Sequence, residues 1–124
     1  MSKDSGGRST PVRLVEYYDE ASNLDQRAPA SNTAAVITYA GIPDSSHVIS
    51  GVSWSYDDDP TGGQLTITMN GVTVYIIDEP VKGPGFIPFL PNKRFNKGTT
   101  VVITLAAGGA GVTGKLNVLG HRIV

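Results

Sequence analysis

Apolar and polar positions alternate most clearly over residues 65–77, where Leu-Thr-Ile-Thr-Met and Val-Thr-Val-Tyr-Ile-Ile flank Asn70-Gly71. An apolar side chain at every second position marks a strand with one covered face. Asn-Gly supplies the two positive-φ residues that a type I′ turn needs. A two-residue turn sets the register, with Met69 opposite Val72, Ile67 opposite Val74 and Leu65 opposite Ile76. These six side chains are expected on one face, and Thr66, Thr68, Thr73 and Tyr75 on the other. A hairpin that is apolar on one side and hydroxyl-rich on the other needs a second layer over the apolar side.

The same two-residue period recurs through the rest of the chain. Residues 34–39 form one candidate strand. Residues 47–56 form another, with Val48, Ser50, Val52, Trp54 and Tyr56 on one side and Ile49, Gly51, Ser53 and Ser55 on the other. In residues 99–106, Val101, Ile103 and Leu105 alternate with Thr100, Val102 and Thr104. Residues 112–124 read as the last strand, broken near Gly120. Asp57-Asp58-Asp59-Pro60-Thr61-Gly62-Gly63 and Gly108-Gly109-Ala110-Gly111 have turn composition, and the second is expected to close a hairpin. Pro80, Pro84, Pro88 and Pro91 exclude a helix or a central strand over residues 78–91, leaving a short edge strand near residues 85–89. At the front, residues 1–10 read as a polar arm, residues 11–18 as a short strand, and residues 19–32 as a loop or extended crossing segment. No stretch carries a sustained 3.6-residue apolar period with caps. The expectation is an all-β chain: a single, jelly-roll-like β-sandwich of about eight short antiparallel strands over residues 33–124, with an extended N-terminal arm and crossing segment over residues 1–32.

Composition narrows the function classes. A length of 124 residues suits one domain, and a net charge of −1 offers no electrostatic footprint for nucleic acid or an anionic membrane. The chain has no cysteine, so disulfides, thiol catalysis and thiolate metal sites are excluded. No apolar run approaches the roughly 20 residues of a membrane span. The first residues lack the apolar core of a signal peptide, so the chain is expected to be made in the cytoplasm and to leave it only within a larger particle.

Candidate chemistry is sparse. Asp57–Asp59 is the one acidic run. Calcium favours oxygen-rich loops, but this run is contiguous and followed by proline rather than spaced as in a calcium-binding loop, and solvated turn residues explain it as well. Gly51-Val-Ser53-Trp-Ser55 fails the nucleophile-elbow pattern at its last position and lies in strand rhythm. Only His47 and His121 are available as a base, too little for a triad. Gly108–Gly111 lacks the Lys-Ser/Thr and the helix of a phosphate loop. Trp54, Tyr56, Tyr75, Phe86 and Phe89 either fill the core or offer rings to a sugar. Lys93, Arg94 and Lys97 form a small basic patch suited to an acidic partner. The proline-rich segment holding Phe86, Ile87, Phe89 and Leu90 is stiff, and stiff apolar segments make good contact surfaces.

Gly83-Pro-Gly-Phe-Ile-Pro-Phe89, Leu105-Ala-Ala-Gly-Gly-Ala-Gly-Val-Thr-Gly-Lys-Leu-Asn117 and Gly51-Val-Ser-Trp-Ser-Tyr56 together resemble small structural proteins of tailed bacteriophages. The resemblance spans roughly the last 75 residues. It implies a non-enzymatic virion protein that cements or decorates the capsid surface. Its partners would be the major capsid protein and its own copies, as a homodimer or homotrimer, with no cofactor and no nucleic acid or membrane. Val12, Leu14 and Tyr17 are expected to reach the shell, with Phe86, Ile87, Phe89, Leu90 and Arg94 adding contacts. The alternative is a carbohydrate- or receptor-binding sandwich of a fibre or spike, with Trp54 or Tyr75 exposed and calcium at Asp57–Asp59.

Overall fold

The structure, a computed structural model, describes residues 23–124. The expected arm and the expected strand over residues 11–18 lie outside the described residues. Eight strands follow one another: β1 (Asn23–Arg27), β2 (Ala35–Tyr39), β3 (Ser46–Tyr56), β4 (Gln64–Met69), β5 (Val72–Asp78), β6 (Gly83–Arg94), β7 (Val101–Leu105) and β8 (Gly114–Ile123).

The described chain is one long hairpin rolled up around Asn70-Gly71. β4 pairs with β5 directly across the turn, then β3 with β6, β2 with β7 and β1 with β8, all antiparallel. The two arms stay bonded where they bend. Glu79 N–H donates to Gly63 O at 3.0 Å, Gly98 N–H to Ile42 O at 3.0 Å, and Asn32 N–H to Val112 O at 2.8 Å. Rolling lays β3 beside β8 and β4 beside β7. The result is two four-stranded sheets, sheet A in the order β1-β8-β3-β6 and sheet B in the order β2-β7-β4-β5. Eight antiparallel strands in this nested order are a jelly roll.

Alternation builds the core. On the inner face of sheet B, Ala35, Leu105 and Leu65 form one cross-strand row and Ile37, Ile103 and Ile67 the next. Ile49, Val52, Trp54, Tyr56, Leu116 and Val118 meet them from sheet A. Tyr56 donates its hydroxyl to Ala106 O at 2.6 Å, so a ring from sheet A is anchored to the chain leaving sheet B.

The apex turn has the backbone that Asn-Gly predicts, with φ of 48° at Asn70 and 84° at Gly71. It is also held from outside. Asn70 N–H donates to Thr100 O at 2.9 Å, and Thr100 N–H donates to Asn70 Oδ1 at 3.0 Å. Asn70→Ala removes the side-chain acceptor and places a less tolerant residue at positive φ. A loss of about 1–2 kcal/mol is expected, read as a lower urea midpoint at unchanged slope.

Several elements differ from the sequence reading. Val74 is an extra residue on β5, because the register steps from Thr68 opposite Thr73 to Ile67 opposite Tyr75. The bulge exchanges the faces of everything beyond it. Tyr75 and Ile77 therefore pack against the core, while Ile76 stands outside it at 57% exposure. The expected opposition of Ile67 to Val74 and of Leu65 to Ile76 does not form. A second bulge, at Ser50 between Ile49 and Gly51, turns Ile49 inward alongside Val52. β8 runs unbroken through Gly120, which faces that bulge at such close range that a Cβ would lie 2.5 Å from Val48 O. The glycine run at residues 108–111 is no hairpin turn, since β7 and β8 belong to different sheets. β1 lies in the segment read as a loop or crossing, and β6 is a twelve-residue edge strand rather than a short one.

Candidate functional site

Of the residues weighed for chemistry, His47, Ser53 and the three aspartates take structural positions. His47 is buried, lies 2.8 Å through Nε2 from Ala40 O and rests 5.5 Å from the Tyr39 ring. Ser53 sits mid-strand between antiparallel neighbours, not on a strand-to-helix elbow. The acidic run divides its carboxylates among three separate backbone partners. Asp57 accepts from Thr113 N–H at 2.8 Å, Asp58 from Asp59 N–H at 2.8 Å, and Asp59 from Lys82 N–H at 2.9 Å. The Asp57 and Asp59 bonds tie together segments that the rolling brings side by side, and the Asp58 bond is local to its own turn. Among the described residues no group of three or more His, Cys, Asp or Glu gathers in a metal-holding arrangement.

The aromatic residues do not share a platform. Trp54 is 7% exposed and Tyr56 is 2% exposed. Tyr75 and Phe89 point between the sheets, where their rings meet edge-on at 5.9 Å. Only Phe86 of the five is well exposed. The Trp54 indole lies over Gly85, its partner on β6, where a Cβ would come within 2.3 Å of the ring. Trp54 also hydrogen-bonds the Glu79 side chain.

Burial raises the Glu79 carboxyl above the ordinary glutamate range; the Trp54 bond opposes the rise and the Asp78 charge adds to it. The folded state then keeps this proton at a pH where the unfolded chain has lost it. Stability from the group is fully present when it is protonated and declines as pH rises from the ordinary value through the raised one. Glu79→Gln is expected to flatten that decline, gaining on the parent at pH 7 relative to pH 4 in paired denaturant melts.

Three surfaces remain. The outer face of sheet A carries large apolar side chains in register. Leu24 pairs with Leu119, Leu119 with Gly51, and Gly51 with Pro88. The Phe86 ring lies against Gly51, which has no side chain to displace it. Leu24, Leu119, Phe86 and Leu90 are 69%, 41%, 63% and 85% exposed. Exposed apolar side chains that are contiguous rather than scattered mark an interaction surface.

The outer face of sheet B is different. Its rows Thr38-Val102-Thr68-Thr73 and Val36-Thr104-Thr66-Ile76 are β-branched throughout, uncharged and largely hydroxylated. The third surface is a groove of about 250 Å³ at the β5–β6 side, lined by Ile67, Val74, Tyr75, Phe89, Lys93 and Phe95. Lys93 Nζ stands 5.4 Å from the centre of the Phe95 ring.

The residues expected to meet a partner are thus divided. Phe86 and Leu90 lie on the outside of β6. Ile87 and Phe89 pack inward against the core. Arg94 is exposed at the end of β6. Val12, Leu14 and Tyr17 lie outside the described residues. Sequence reasoning missed Leu24 and Leu119. An isolated leucine in a polar stretch carries no signal until strand pairing sets it beside another. Compared with protein-family models and with curated proteins, the sequence matches none.

Proposed function

We propose that this chain is a non-enzymatic structural protein that binds the outer surface of a bacteriophage capsid and cements or decorates joints between major capsid subunits. The observation that carries the reading is the apolar row Leu24–Leu119–Phe86, with Leu90 beyond it, across one whole sheet face. A flat face of this kind suits a broad protein surface better than a small ligand, which binds in a concave site. The resemblance of the three strings to structural proteins of tailed bacteriophages is what points to a capsid as the partner surface. The jelly roll agrees with it, since shell domains are among the proteins built this way, although a fold by itself assigns no function.

The mechanism is mass action. A protein that binds the assembled shell and not its free subunits adds its binding free energy to the shell alone. The partners are the major capsid protein and further copies of this chain, and the location is the virion surface. The carbohydrate-binding alternative has no exposed aromatic cluster among the described residues to carry it. Quantitative mass spectrometry of purified particles tests the proposal. Copy numbers in the dozens to hundreds, scaled to the shell protein, are expected. Absence from the particle would overturn it.

A further inference from the structure

We propose that the β5–β6 groove is filled by residues 12–18 of a second copy of this chain, added as a strand along β5. Among the described residues sheet B ends at β5 and sheet A at β6, so neither strand has a described partner on its outer edge at this side. β6 carries Pro84, Pro88 and Pro91, which lack the N–H that an added strand would need. β5, Val-Thr-Val-Tyr-Ile-Ile-Asp, has neither proline nor lysine to guard its edge, and its one irregularity is the bulge at Val74, a residue that lines the groove. A strand laid on β5 would turn every second side chain toward the groove.

The groove is apolar and aromatic with one cation, Lys93. One face of residues 12–18 reads Val12, Leu14, Glu16, Tyr18: apolar and aromatic with one anion. Asp19 and Glu20 follow directly. Arg94 and Lys97 lie beside Lys93 in the chain, and neither has an acidic partner among the described residues.

Reach decides which copy supplies the strand. β1 starts at Asn23 on the far edge of sheet A, three strands from β6. A strand outside β5 lies one further spacing out and one sheet away, about 22 Å in a straight line. Five Cα steps separate Tyr18 from Asn23, and they extend to about 18 Å at most. Tyr18 therefore fits the groove of a neighbour, not its own. Exchange that fills every groove gives a closed oligomer. This association is independent of what the outer face of sheet A binds.

Sedimentation velocity on the full chain tests it, using Leu14→Asp, Glu16→Lys, Lys93→Glu and the double variant Glu16→Lys/Lys93→Glu. The parent is expected to form a closed oligomer that dissociates on dilution. Leu14→Asp and each single charge reversal should raise the dissociation constant roughly tenfold or more, and the double variant should restore much of the loss. Unchanged Trp54 emission would show that each variant is folded. A parent chain that stays monomeric at high concentration would overturn the proposal. So would an oligomer indifferent to Leu14→Asp and to both reversals, or a monomer whose groove is filled by its own segment.

Discussion

Trp54→Ala is expected to destabilise the protein by about 3–5 kcal/mol, the usual cost of deleting a large buried aromatic side chain. The site has little means of closing the resulting cavity. The indole lies over Gly85, which contributes no side chain to collapse into the space, and on its other side Trp54 pairs with Leu116, which is already fully buried. The change also removes the hydrogen bond to Glu79 and leaves a carboxyl that burial has already disfavoured. For a chain of this length, between the small and large domains for which the scale is known, a loss of roughly 3–6 °C in melting temperature per kcal/mol predicts a fall of about 10–30 °C by calorimetry. Trp54→Phe should recover part of the packing and not the hydrogen bond, placing it between the two.

The second large effect falls on binding. Phe86→Asp combined with Leu90→Asp should lower affinity for assembled particles by roughly a hundredfold or more, the scale of losing a hot-spot residue and burying an unpaired charge in its place. Folding should change by less than about 1 kcal/mol, because both side chains are mostly in water in the free protein. Val36→Asp combined with Ile76→Asp on sheet B is the control. It places the same two charges on the other outer face, at positions 40% and 57% exposed, and is expected to bind like the parent. Co-sedimentation of labelled protein with stripped particles measures all three.

The parts of this fold legible in the sequence are those that local chemistry dictates. Asn70-Gly71 marks the apex of the rolled hairpin, and the alternation in β2, β4 and β7 marks their buried faces. The illegible parts depend on partners distant in the chain. β1 has a single apolar residue, Leu24, which points outward, while the strand is held by pairing with β8 and by the Tyr39 hydroxyl, which donates to Asp25 Oδ2 at 2.6 Å. Nothing in Asn-Leu-Asp-Gln-Arg reveals this. The bulges at Ser50 and Val74 each insert one residue; Gly51 and Gly120 flank the first, but no glycine or proline adjoins the second, which reverses the faces of Tyr75 and Ile76. The prolines of β6 were informative because an edge strand tolerates them. For the candidate site, Phe86 and Leu90 could be singled out from the sequence. The face they share with Leu24 and Leu119 exists only once β1, β8, β3 and β6 are side by side.

The central claim is that the outer face of sheet A is the surface that meets the shell. Site-specific photo-crosslinking tests it most directly, with a photoreactive phenylalanine at Leu119 on sheet A or at Thr104 on sheet B, activated on assembled particles. The account predicts a crosslink to the major capsid protein from position 119 and none from position 104. A crosslink from 104 and none from 119 would contradict it.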